Sequence, residues 1–114
     1  MALNRWGLTG SWTVGSEFAT LNEASGGIVY RFHARDLHLV LEPPSDGHTI
    51  RFRVKLDGAA PGPDHGSDVD TEGWGSVRDG RLYQLIRQAG PVADRTFEIE
   101  FFDTGVRAYA FTFG

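Results

Sequence analysis

The sequence predicts an all-β domain, a two-sheet antiparallel sandwich of jelly-roll type. Three observations carry that prediction. Apolar and polar residues alternate along several short segments, which is the period-two signature of half-buried strands. Fifteen glycines and five prolines punctuate the chain and supply the turns that short strands need. No segment has a convincing helical period. Leu82 to Gln88 has some helix propensity, but its Tyr, Leu and Ile residues suit a strand equally well.

The elements follow in order. Trp12 to Val14 and Phe18 to Leu21 are short candidates. In Gly27 to Arg35, Ile28, Tyr30 and Phe32 alternate with Arg31 and His33. Leu37 to Leu41 sets Leu37, Leu39 and Leu41 inward, and the intervening Arg35-Asp36 suggests a tight hairpin with the strand before it. Ile50 to Leu56 is the clearest strand: Ile50, Phe52, Val54 and Leu56 alternate with Arg51, Arg53 and Lys55, and Asp57-Gly58 closes it with a turn signal. Gly75 to Val77 is a further short candidate. Arg81 to Gln88 and Val106 to Phe113 read as strands with both faces partly covered, with Tyr109, Phe111 and Phe113 on one face. Thr96 to Phe101 points Phe97, Ile99 and Phe101 one way and Glu98 and Glu100 the other. About nine short strands with frequent turns imply a sandwich. Phe52, Val54, Phe97, Ile99, Tyr109 and Phe111 are its expected core.

A chain of 114 residues is one domain's worth and buries a core without disulfide or metal staples. The absence of cysteine excludes a thiol nucleophile, a disulfide and a thiolate metal site. The net charge of −4, from 11 basic and 15 acidic groups, argues against a nucleic-acid partner, since such proteins carry a basic excess. No apolar run approaches the roughly 18 residues of a membrane helix, and Met1 to Trp6 lacks the apolar core of a signal peptide. No direct membrane insertion is expected.

The long segment DGAAPGPDHGSDVDTEG, Asp57 to Gly73, is too long for an idle hairpin loop and is the place to look for a site. Asp68, Asp70 and Gly73 resemble part of a calcium loop, but the remaining oxygen ligands, the sixth-position glycine and the terminal Glu are missing. His65 beside the two Asp residues is a sparse set for a transition metal. Turn geometry accounts for all of them, and no metal or cofactor is predicted. Trp74, flanked by Gly73 and Gly75, either presents its face to a sugar or peptide or plugs the end of the core. The expected ligand set is Trp74 for stacking, Asp68, Asp70 and His65 for hydrogen bonds, then Tyr83 and Arg87. Trp6 and Trp12 read as core or docking residues. The basic wet faces of Arg31, His33, Arg51, Arg53 and Lys55 are expected to pair across strands with Glu98 and Glu100. No GxSxG, HExxH or phosphate-loop motif occurs, so no acid, base and nucleophile set is recognisable.

The stretches NRWGLTGSWTVGSE, YRFHARDLHLVL, RFRVKLDGAAPGPDHGSDVD, RLYQLIRQAGPVADRTFEIEF and the closing AYAFTFG resemble the C-terminal domain of DipZ-type thioredoxin-family proteins over essentially the whole chain. The resemblance implies a β-sandwich similar to a carbohydrate-binding module, appended to a thioredoxin-like domain that carries the redox cysteines. Some members of that family also have an N-terminal membrane domain related to cytochrome c biogenesis proteins. A parent anchored in that way places the domain outside the cytoplasm, and otherwise it is cytoplasmic. The function expected is a non-catalytic accessory binding domain of a thiol–disulfide protein, with an adjacent thioredoxin-like domain as partner and a glycan or a polypeptide as ligand. The alternative is a structural module that docks on its neighbour or dimerises.

Overall fold

The structure is a computed structural model and describes residues 1–114. Ten strands follow one another: β1 (Trp6–Thr9), β2 (Trp12–Val14), β3 (Ala19–Leu21), β4 (Gly26–His33), β5 (Asp36–Glu42), β6 (Ile50–Leu56), β7 (Trp74–Val77), β8 (Arg81–Arg87), β9 (Asp94–Phe101) and β10 (Arg107–Phe113). A 3-10 turn at Gly62–Asp64 is the sole helical element. The front sheet has the order β1-β4-β9-β6-β7 and the back sheet β2-β3-β10-β5-β8, with every pairing antiparallel. From β3 to β10 the chain alternates between sheets, except that β6 and β7 pair as neighbours. That connectivity is a jelly roll, with β1 and β2 added at one side.

The alternation read in the sequence sets the core. Phe52, Val54, Phe97, Ile99 and the three leucines Leu37, Leu39 and Leu41 are all buried between the sheets. Aromatic edges knit the leaves together: Phe52 meets Tyr83 at 6.4 Å and Phe97 meets Phe111 at 5.9 Å, both T-shaped. Asp57 and Gly58 both have positive φ, 53° and 81°, as a two-residue type I′ turn demands. The turn is closed by Leu56 and Ala59, which exchange backbone hydrogen bonds.

Two expectations need correction. β4 and β5 do not form a hairpin, because they lie in opposite sheets. Neither Ala34 nor Arg35 takes the positive φ that a tight primed turn requires, so the chain crosses between leaves there. The Gln88 side chain pins this corner by donating to the Ala34 and Ala93 carbonyls. Tyr109 is half-buried and outside the core. β10 changes register against β5 between Ala108 and Phe111, and this bulge gives Ala108 and Phe111 the inward positions. The Tyr109 ring packs instead on Phe18 at 5.0 Å, and its hydroxyl donates to Glu42 Oε1 at 3.2 Å.

The Asp57 to Gly73 segment closes one side of the sandwich. Its Gly66 and Asp68 amides donate to Leu85 O and Gln84 O of β8 at 2.9 and 3.1 Å, so the segment covers the free edge of the back sheet. Val69 enters the core. Gly73, with φ +91°, returns the chain to the front sheet so closely that a Cβ would stand 2.0 Å from Val54 O.

Replacing Phe97, which is fully buried, with Ala should cost about 3–5 kcal/mol. Equilibrium denaturant unfolding checks this, and a loss below about 1 kcal/mol contradicts the packing described.

Candidate functional site

Because inner and outer residues alternate, the outer face of the front sheet is fixed by register. One row crosses all five strands: Thr9 opposite Gly27, Gly27 opposite Glu100, Glu100 opposite Arg53, and Arg53 opposite Trp74. A parallel row holds Gly7, Val29, Glu98 and Lys55. All of these but Gly7 line a groove of about 520 Å³, joined by Ser25 and Phe102. Trp74 is 45% exposed and leans on Phe102 at 5.4 Å between ring centroids. The two rings form an aromatic wall at one end of the groove.

Charge on this face is arranged differently from the expected cross-strand ion pairs. Register does set Arg53 opposite Glu100 and Lys55 opposite Glu98. Yet Arg53 Nε donates to Glu72 O at 3.1 Å, and its guanidinium lies 3.8 Å from the Glu72 carboxylate and 5.1 Å from the Trp74 ring centre. Lys55, Glu98 and Glu100 enter no ion pair. The other basic residues contact different acids: Arg51 meets Asp103 at 3.1 Å, His33 Nδ1 lies 2.7 Å from Asp94 Oδ1, and Arg31 lies 3.8 Å from Asp57. The groove therefore presents two carboxylates and an ammonium without ionic partners.

The residues singled out in the sequence do not all converge. Asp70 stands behind Trp74: its Oδ1 accepts the Glu72 and Trp74 amides at 3.0 and 2.9 Å, an Asx turn that fixes where the indole starts. Asp68 faces the back sheet, accepting the Gln84 amide at 2.7 Å and both terminal nitrogens of Arg81 at 2.8 and 3.2 Å. His65 Nδ1 lies 2.8 Å from Val69 O, so it donates within the loop. Tyr83 is 2% exposed, and its hydroxyl donates to Asp79 O at 2.6 Å. Arg87 lies on the back sheet, 3.7 Å from Asp36. No group of three or more His, Asp or Glu side chains is placed to hold a metal. Of the six, Trp74 alone lines the groove. Of its partners there, Arg53, Lys55, Glu98 and Glu100 are legible in the sequence as wet-face residues, whereas Phe102 follows a strand and carries no such signal. What was missing was the β9-β6-β7 order that brings them beside Trp74.

A second cleft, of about 400 Å³, opens between the leaves at the β1 and β10 side. It is mostly apolar, with Trp6, Leu8, Phe18, Tyr30, Phe111 and Phe113 among its lining. Trp6, 58% exposed, forms part of its rim and is not a core residue. Trp12 by contrast packs edge-on against Phe101 at 6.1 Å.

Fold and groove together define a non-helical β-sandwich with an aromatic and charged platform on its front sheet. The chain belongs to the family described as the thioredoxin-like C-terminal domain, which it matches over residues 1–114. Comparison with curated protein sequences gives no match. Among solved structures, the chain is similar to part of a family two carbohydrate esterase from Clostridium thermocellum in complex with cellohexaose, with a TM-score of 0.67, 14% identity, and 96% of this chain against 31% of that one. It is also similar to part of a family two carbohydrate esterase from Cellvibrio japonicus (0.60, 10%, 95% against 30%). A third is an acetyl xylan esterase from the rumen bacterium Butyrivibrio proteoclasticus (0.59, 12%, 100% against 32%). The likeness is one of fold, and this chain spans about a third of each of those proteins.

Burial raises the Asp68 carboxyl, but hydrogen bonds from Arg81 and the Gln84 amide, with the Arg81 charge, outweigh it and hold the pKa below the ordinary value of 3.8. A depressed folded-state pKa contributes stability that is complete above the unfolded value and is lost as pH falls through the folded one. Asp68→Asn should therefore lower Tm at neutral pH and flatten the acid limb of the Tm-against-pH curve. Thermal melts across that range check this, and an acid limb parallel to that of the wild type counts against the Asp68 clasp.

Proposed function

We propose that this domain is a non-catalytic accessory module of a thioredoxin-family thiol–disulfide protein and that it binds carbohydrate in the front-sheet groove. The observation that carries the reading is the exposed Trp74 beside the unpaired Glu98, Glu100 and Lys55. A sugar offers a C–H face that stacks on an aromatic ring, and hydroxyls that both donate and accept. Glu98 and Glu100 accept, Lys55 and the remaining Arg53 N–H groups donate, and the Trp74–Phe102 wall supplies the apolar surface. Asp70 acts through Trp74 and is a positioning residue. The absence of cysteine leaves thiol chemistry to the adjoining thioredoxin-like domain.

The Clostridium thermocellum fold neighbour was solved in complex with cellohexaose, so cello-oligosaccharides head the ligands to screen. On a glycan array, the wild-type domain should retain at least one glycan. Trp74→Ala should then weaken binding at least tenfold, equivalent to about 1.4 kcal/mol. Its folding stability should fall by less than about 1.5 kcal/mol, because an exposed ring loses only edge contacts. Retention of no glycan by the wild type removes the carbohydrate reading.

The inter-sheet cleft supports a second, compatible role: docking of the thioredoxin-like domain that the family places ahead of this one. Trp6 at the cleft rim opens β1, the first strand of the sandwich, so a domain that precedes that strand in the chain is held there at a high effective concentration. In a chain that joins both domains, Trp6→Asp should speed proteolytic cleavage of the junction. Unchanged cleavage removes this role.

A further inference from the structure

We infer that the groove takes an extended, uncharged oligosaccharide laid across the strands, not a single sugar ring; this rests on the carbohydrate reading above. The row from Trp74 through Arg53, Glu100 and Gly27 to Thr9 crosses every strand of the front sheet. Four inter-strand steps of about 4.8 Å make a path of about 19 Å, several times the width of one pyranose.

The side chains along this path change in height. Trp74, Phe102 and Arg53 stand tall at the β7 end, whereas Thr9, Ser25, Gly27 and Val29 form a low floor at the β1–β4 end. Gly27 has no room for more: a Cβ there would lie 2.5 Å from Ile99 O and 3.1 Å from Thr9 Oγ1. A ligand can therefore stack one ring on the wall and continue over the floor.

Charges of both signs along the path favour neither a polyanion nor a polycation. Glu98 and Glu100 in the middle of the path repel a uronic-acid chain, and Lys55 and Arg53 beside them repel a polyamine sugar. A column of acceptors next to a column of donors suits hydroxyl groups, which serve as either.

Isothermal titration of the wild-type domain with glucose and with the series from cellobiose to cellohexaose, with xylo-oligosaccharides in parallel, tests this. Affinity should rise with chain length until the path is filled and then level off. It should change less than about twofold between low and high salt, because a neutral ligand has no Coulombic attraction to screen. Thr9→Leu, at the far end of the floor, should reduce the affinity of the longest oligomer to that of the short ones and leave cellobiose unaffected. Equal affinity for glucose and the hexamer, or equal loss for cellobiose and hexamer in Thr9→Leu, overturns the extended-chain assignment while leaving carbohydrate binding intact. Preference for oligogalacturonate or chitosan oligomers overturns the uncharged class. Absence of binding by every sugar, with the domain folded, overturns the carbohydrate reading itself.

Discussion

The bond from Asp68 to β8 holds much of the rest in place. A two-sheet sandwich buries its inner faces for hydrophobic gain, but an edge strand that leaves its amides and carbonyls unpaired invites association. Here the segment after β6 crosses from front sheet to back sheet, and Asp68 anchors it by accepting the Gln84 amide and both ends of the Arg81 fork. Arg81 in turn lies over the Tyr83 ring at 3.9 Å, so the clasp covers the largest fully buried side chain of the core. With that side sealed, the segment returns to β6 through Gly73 and delivers Trp74 to the edge of the front sheet. The acids that looked like ligands in the sequence are spent on this crossing, and the indole they deliver is what faces solvent.

Strand periodicity made most of the fold legible. β6 and β9 have unbroken alternation with large apolar residues on one face; the inward sets of both and the bounds of β6 follow from sequence, while β9 begins two residues earlier than its alternation marks, at Asp94. Asp57-Gly58 was legible for a chemical reason, since both residues tolerate the left-handed backbone of a primed turn. What sequence missed is non-local. Ala34-Arg35 separates two strands by a hairpin's distance, and only the lack of residues suited to positive φ distinguishes a crossover from a turn. Tyr109 shares the parity of Phe111 and Phe113, and a one-residue bulge breaks that parity without any local mark. β1 is four residues long and contains Gly7, too little alternation to register as a strand.

The groove shows the same division. Its charged residues were assigned to wet faces, but the prediction that they neutralise each other assumed that adjacent opposite charges must meet. Long side chains choose among several partners, and an exposed pair gains little from meeting. Arg53 has a carbonyl, a carboxylate and an indole within reach on one side, which leaves Glu100 without it. At the end of the sandwich the outcome is the opposite. Arg95 joins Asp57 and Asp64, Arg31 approaches Asp57, and the Thr96 and Ala89 amides complete both carboxylates. That cluster is closed on itself and holds the start of the long segment, whereas the groove keeps its hydrogen-bonding capacity for a solute.

Strand order also bears on how such a module serves a neighbour. β1 contributes to both clefts, but with opposite faces: Trp6 and Leu8 line the apolar cleft between the leaves, and Thr9 belongs to the outer groove. Trp74 sits on β7, at the other edge of the same sheet. A domain seated on the Trp6 side therefore leaves the aromatic wall uncovered, and a ligand lying over the front sheet leaves the apolar cleft uncovered. The two surfaces lie on opposite faces of β1. Under the proposed roles, a protein without thiols of its own would act by placing the redox centre of its neighbour close to whatever the groove holds. The rigidity of the sandwich would then set that distance, since the groove and the cleft rim are built on strands of one sheet and not on independent loops.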